Sequence, residues 1–164
     1  KTAGEEATVA KIIELVSAVR NLRAECNVSP AQPLKAFVRM NDPEFSKMAG
    51  PYILRLARLS ELNCGPDLSR PRQAVAGALS WGDLYLSLEG VVDFKAEEAR
   101  LTKKSAQLAR ELGELDKKLT NHAFILKAAP DAVTRAETQQ QQLKEQYDKI
   151  TTHLQQIRTM AREA

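Results

Sequence analysis

Apolar residues recur at three- and four-residue spacing through Val9, Ile12, Ile13, Val16, Val19 and Leu22. That period predicts a helix over residues 5–25, which Pro30 and Pro33 bring to a stop. Leu34-Lys35-Ala36-Phe37-Val38-Arg39-Met40 reads as a strand. Asn41-Asp42-Pro43 then predicts a helix start, with Asp42 as the cap and Pro43 at the first helical position. This helix carries Phe45, Met48, Ile53 and Leu56, and Gly50-Pro51 is expected to interrupt or kink it. Short strands follow near 61–64, 74–79 and 84–88, with 65–72 as a loop; in the last strand Leu84, Leu86 and Leu88 face inward, Tyr85 and Ser87 outward. The economical architecture is a small, mostly antiparallel sheet with a helix on one face.

Beyond residue 92 the period changes. Phe94, Leu101, Leu108 and Leu115 are seven apart, and so are Glu98, Ser105, Leu112 and Leu119, offset by four. The first set takes heptad position d and the second a. After Pro130 the pattern restarts, with Val133, Gln140, Tyr147, Leu154 and Ala161 at a and Ala136, Leu143, Ile150 and Ile157 at d. The break at Lys127-Ala128-Ala129-Pro130 is short, so the two helices are expected to fold back as an antiparallel hairpin, an arm about 40 Å long at 1.5 Å per residue. The fold class is therefore α+β: a small antiparallel sheet with helices, then a long antiparallel α-helical hairpin of coiled-coil type.

Two registers satisfy these heptads. One centres the turn on Phe124 and leaves Pro130 inside the second helix, at a cost of about 3 kcal/mol. The other centres it between Lys127 and Ala128 and puts Pro130 in the first turn, where its missing N–H costs nothing. The second is expected, pairing Leu119 with Ala136, Leu115 with Gln140, Leu112 with Leu143, Leu108 with Tyr147, Ser105 with Ile150 and Leu101 with Leu154. Gln140 then needs a hydrogen-bond partner.

Composition sharpens the boundary. Six of the seven prolines and six of the seven glycines fall at or before Gly90, leaving Gly113 and Pro130 in the helical part. The net charge of +3 is too small to argue for nucleic acid by itself, so any such signal lies in where the charges sit. Cys26 and Cys64 have no Cys-x-x-Cys partner or nearby histidine pair, which suggests neither zinc nor a disulfide framework and fits a reducing cytoplasm. No apolar run is long enough to span a membrane, and the first residues lack the layout of a signal peptide. The chain contains no phosphate-binding glycine loop, no Gly-x-Ser-x-Gly and no His-Glu-x-x-His, and His122 and His153 read as ordinary solvated histidines. No catalytic residue, metal ligand or cofactor site is expected in it.

One surface is ordered. Lys103, Arg110 and Lys117 share the outward position f, flanked by Lys104 and Lys118 at g, and one more turn of the same register brings in Phe124. The neighbouring b positions are small: Ala99, Ala106, Gly113 and Thr120. From Lys117 to Pro130 there are three lysines, Lys117, Lys118 and Lys127, and no acid. A basic row ending in an aromatic suits phosphate contacts and stacking on a base. It is also where any coiled coil keeps its solvated charges. A different class of function stays open, a coiled-coil module that binds another protein or self-associates through Gln139–Gln142, Gln155 and Gln156.

Three stretches carry a family resemblance. Arg20-Asn21-Leu22-Arg23-Ala24-Glu25-Cys26-Asn27-Val28 resembles the Arg-Asn-x-Arg-Ala-Glu-x-Asn-Val segment that ends the anticodon-binding helices of valyl-tRNA synthetases. Gly90-Val91-Val92-Asp93, with Glu97, Arg100, Leu101 and Lys103, resembles the start of their C-terminal arm. Lys118-Leu119-Thr120-Asn121-x-x-Phe124-x-x-Lys127-Ala128-Ala129-Pro130-x-x-Val133-x-x-x-Glu137 is similar to the tip of that arm, with one alanine more before the proline. The resemblance implies a division into 1–32, the end of the anticodon-binding region; 33–92, a small α+β module; and 93–164, a tRNA-binding arm. It further implies contact of the arm with the tRNA elbow, and the residues expected to make it are those of the basic row and tip, Lys103, Lys104, Arg110, Lys117, Lys118, Phe124 and Lys127. The parent would be a cytoplasmic, monomeric ligase joining valine to its tRNA with ATP and magnesium, and its upstream catalytic and anticodon-binding domains would be this chain's other partners. Arg20 and Arg23 are expected in structural ion pairs before contact with RNA.

Overall fold

The computed structural model describes residues 3–163. Its elements run α1 (Ala3–Glu25), β1 (Leu34–Arg39), α2 (Pro43–Leu56), β2 (Leu59–Gly65), β3 (Ala74–Leu79), β4 (Gly82–Ser87), α3 (Phe94–Thr120), α4 (His122–Lys127) and α5 (Pro130–Arg162). The described residues divide into two compact units, 3–93 with 160–163, and 94–159.

In the first unit the four strands lie in the order β2-β1-β4-β3. β4 pairs antiparallel with both β1 and β3, but β1 and β2 are parallel. The sheet is therefore mixed, which corrects the antiparallel expectation. The cause is α2, which lies between β1 and β2 and carries the chain back so that the second strand starts in the same direction as the first. Leu15 and Val19 of α1, Phe45 and Ile53 of α2, and Ala36, Val38, Leu84 and Leu86 of the sheet form the core. Tyr85, expected to face outward, is buried as well. β4 is a central strand, and the Arg39 guanidinium on the neighbouring β1 covers the Tyr85 ring at 5.9 Å.

Asp42 caps α2 as its sequence predicts, its carboxylate accepting from the Phe45 amide at 3.0 Å. The expected interruption at Gly50-Pro51 is absent: α2 is one helix with Pro51 inside it, on its exposed side. The end of α1 explains much of the Arg20–Val28 segment. Asn27 takes a left-handed conformation (φ 56), its amide donates to the Ala24 carbonyl and the Val28 amide donates to the Arg23 carbonyl. These are the two bonds of a Schellman C-cap, with Asn27 at the position that favours glycine or asparagine. Arg23 itself is buried, and its guanidinium donates to the carbonyls of Ser29, Gln32, Ala57 and Arg58. It is structural, but through main-chain oxygens and not through the ion pair expected. At the other end of the unit, the Gln73 amide donates to the Glu163 carboxylate at 2.9 Å and Arg70 pairs with the same side chain at 2.8 Å.

In the second unit every a and d position of the heptads is buried or half-buried, with Phe94, Leu101, Leu108, Ala136, Leu143, Leu154 and Ile157 the most enclosed. Pro130 opens α5, as its missing N–H requires. α3 and α5 are joined at two levels. Gln140 donates to the Asp116 carboxylate, and Arg158 pairs with Glu98 at 3.1 Å. The first helix does not, however, continue through Phe124. Asn121 turns extended (φ −80, ψ 107), and its side chain accepts from the Ala123 amide at 3.0 Å to start the separate helix α4. Asparagine is among the strongest N-caps, so it ends one helix by opening another. The additional alanine fits without strain: Ala128 closes α4 in an extended conformation, and Ala129 accepts from the Ala132 and Val133 amides in the first turn of α5. His122 is exposed, but His153 is half-buried and not the solvated residue expected.

Candidate nucleic-acid interface

Helix α3 presents its basic row away from its buried stripe. Leu101 and Leu108 are buried, and every second turn returns a lysine or arginine to an exposed side. Lys103, Lys104, Arg110, Lys117 and Lys118 are all exposed. Among the described residues none of the five, nor Lys127, has a carboxylate within ion-pair distance. Three acids of the same unit are engaged elsewhere. Glu97 is bound by Arg100 at 2.6 Å, which holds its carboxyl below the usual range. Glu98 is held by Arg158, and Asp116 accepts from Gln140. The row therefore keeps its positive charge open to a phosphate backbone.

At the end of α3, Lys117 and Lys118 occupy the last turn, where the helix carbonyls favour cations. Lys118 Nζ lies 4.8 Å from the centroid of the Phe124 ring. Phe124 thus adjoins the row, but not as its next helical step: the break at Asn121 puts it on α4, and the ring reaches Lys118 across that turn. It is half-buried. Lys127, the last residue of α4, is exposed. Ala99, Ala106 and Thr120 are exposed and Gly113 half-buried, so the small positions leave the side of α3 low.

Two residues escape sequence reasoning. Leu126 is 84% exposed and Ile125 42%, which gives α4 an apolar cap beside Phe124 and Lys127. The signal was the four-residue apolar run Ala123–Leu126 between a capping asparagine and a proline, too short for a helix to bury on one side.

Arg20 is exposed on α1, and the Arg23 guanidinium is fully used by main-chain carbonyls. Burial raises the Cys64 thiol, and Cys26 is buried too, so neither is a ready nucleophile. Among the described residues no group of three or more His, Cys, Asp or Glu side chains is placed to hold a metal ion. No helix among them is long and apolar enough to cross a membrane.

Residues 93–158 match the family of the valyl tRNA synthetase tRNA-binding arm. Over 150 residues the chain is 32% identical to a valine–tRNA ligase of Lactococcus lactis, a stretch that covers 92% of this chain and 17% of the relative. It is 30% identical over 146 residues to that of Nitratidesulfovibrio vulgaris, covering 87% and 16%, and 32% identical over 136 residues to that of Thermosynechococcus vestitus, covering 82% and 15%. The chain thus spans about a sixth of the length of these relatives, matches the arm and not a catalytic domain, and belongs to the valine–tRNA ligase family.

Proposed function

We propose that residues 93–164 are an arm by which a cytoplasmic, monomeric valine–tRNA ligase holds its tRNA at the elbow, so that the parent enzyme can attach valine. Residues 33–92 act as a spacer, and residues 1–32 join this piece to upstream anticodon-binding and catalytic domains. Activation of valine with ATP and magnesium belongs to those upstream domains. The observation that carries the reading is the row Lys103, Arg110, Lys117 and Lys118, exposed, in no ion pair among the described residues, and ending against Phe124. The arm itself is taken as an antiparallel coiled-coil hairpin. The Asp116–Gln140 and Glu98–Arg158 links support that arrangement, and both fall within a residue of the register that pairs Leu115 with Gln140.

Arg110 and the lysines supply long-reaching cations for phosphate oxygens, while the Phe124 ring and the apolar Ile125 and Leu126 suit an exposed base face. Replacing Lys103, Arg110, Lys117 and Lys118 by Ala in the full-length ligase is expected to weaken tRNA binding. The slope of log K against log salt should flatten by about 0.7–0.9 per lost phosphate contact. Valine activation by ATP should be unaffected. Unchanged tRNA affinity rejects this surface. Binding that is lost without any change in salt slope favours the alternative, a coiled-coil module meeting another protein or its own copy through the glutamine-rich α5.

A further inference from the structure

The buried polar side chains among the described residues are Arg23 and Gln73. Gln73 stands just before β3 with a left-handed backbone (φ 54) that glycine would adopt more readily. Its side chain accounts for the choice. Gln73 Nε2 donates to the Met160 carbonyl at 3.3 Å, in the last turn of α5, where a helix leaves its carbonyls open. The Gln73 main-chain amide donates to the Glu163 carboxylate at 2.9 Å, and its carbonyl accepts from the Leu88 amide at 2.9 Å. One residue thus holds the end of α5 to the chain that leaves β4. Met160 beside it is fully enclosed.

Glu163 does not serve its own helix. It follows directly on Arg162, the last residue of α5, where the open carbonyls disfavour a carboxylate. Its carboxyl is nevertheless held below the usual carboxylate range, chiefly by Arg70 at 2.8 Å, with the Gln73 amide and the charge of Arg72 adding to it. Arg70, Arg72 and Gln73 all lie between β2 and β3, so what the carboxylate secures is an attachment.

All of these residues belong to the first unit. The chain leaves that unit after Asp93 and returns to it at Met160. We infer that Glu163 is a positioning residue for tRNA: with Gln73 and Arg70 it anchors the returning end of α5, so that the stretch 94–159 is fixed at both ends. The inference rests on the reading of residues 93–164 as a tRNA-binding arm. With one end loose, the basic row is in its binding position for a smaller fraction of the time, and the apparent affinity falls by that fraction.

Glu163→Ala and Glu163→Gln in the full-length ligase test this. The glutamine keeps an oxygen for the Gln73 amide but gives Arg70 no charge to pair with. The KM for tRNA is expected to rise about fivefold with alanine, as for an arm in position roughly a fifth of the time, and less with glutamine. The kcat and the activation of valine by ATP are expected to stay as in wild type. The slope of log K against log salt should stay too, because no phosphate contact is removed. That separates the anchor from the basic row, whose loss flattens the slope. A wild-type KM in both variants overturns the inference, with or without a lower thermal midpoint, and leaves Glu163 a stabilising residue alone. A steeper slope overturns it as well, since the freed Arg70 would then be meeting phosphate itself. If the tRNA reading is what fails, the variants of Lys103, Arg110, Lys117 and Lys118 also leave tRNA affinity unchanged; if only the anchor fails, they weaken it.

Discussion

Arg23 donates from one guanidinium nitrogen to the Arg58 carbonyl at 2.8 Å, tying the end of α1 to the corner between α2 and β2 across 35 positions of sequence. The same nitrogen reaches Ala57 at 2.9 Å, and the other serves Ser29 and Gln32. A planar fork can satisfy four carbonyls at once; an ammonium cannot. Arg23→Lys should therefore lower stability by on the order of 2–3 kcal/mol, read as a lower thermal midpoint, although the charge is kept. If Arg23 instead served RNA, the lysine variant would fold normally and bind tRNA less well.

Asn27 holds the left-handed position of the cap that ends α1. Glycine takes that conformation without strain, whereas alanine pays a steric cost of about 1 kcal/mol. Asn27→Gly is expected to be close to neutral and Asn27→Ala destabilising by about 1 kcal/mol in chemical denaturation. Equal effects of the two would show that the side-chain amide, and not the backbone angle, selects asparagine.

A Cβ on Gly82 would stand 2.5 Å from the Arg39 carbonyl oxygen, where a backbone atom has no room to yield. Gly82→Ala has to push β4 away from β1 beside the Arg39–Asp83 ion pair. A loss of about 1–3 kcal/mol is expected by the usual cost of overpacking. Wild-type stability in denaturant would remove this constraint.

These residues also show where sequence reading ends. The heptads from Phe94 to Ile157 were legible because a seven-residue apolar period survives in any helix that buries one stripe. Asp42 and Pro130 were legible because each acts on the helix it begins. The parallel β1–β2 pairing was not, since strand direction depends on what α2 does between them. The partners of Arg23 were not, because all four are main-chain oxygens and carry no mark in the sequence. Of the candidate interface, the basic row could be read from its spacing, but the turn at Asn121 hid the true place of Phe124 and the exposure of Leu126.

Glu14 gives a pH dependence with a definite sign. Its carboxylate accepts from the Ser80 amide at 2.6 Å and the Ser80 hydroxyl at 2.7 Å, and the amide bond, more than the hydroxyl, holds it below the usual carboxylate range. Because the folded value is the lower one, this contribution is complete above the unfolded value of about 4.3 and is lost as pH falls through the folded value. Glu14→Gln keeps the shape without the charge. Its thermal midpoint should lie below wild type at pH 7, and the two should converge below about pH 4. A gap that persists unchanged at pH 3 would mean that packing, not ionisation, links Glu14 to Ser80.

The register of the arm can be decided by chemistry on two residue pairs. Asp116 and Gln140 are hydrogen-bonded, and Glu98 and Arg158 are ion-paired at 3.1 Å, two levels that fit the antiparallel alignment proposed for the arm. In that alignment Gln140 gains the polar partner that a half-buried amide beside Leu115 requires. The competing alignment would set Asp116 opposite Ala132 and Glu98 opposite Ile150, and would leave Pro130 within a helix at about 3 kcal/mol. With Cys64 replaced by Ser, Asp116→Cys paired with Gln140→Cys should link rapidly through a short bis-maleimide in dilute native protein. Asp116→Cys paired with Ala132→Cys should link slowly under the same conditions, because a shift of eight residues along a helix is about 12 Å at 1.5 Å per residue. The opposite order of rates would exclude the alignment that puts Leu101 with Leu154. Equal and slow linking of both pairs would exclude the hairpin itself, and with it the arm that carries the basic row.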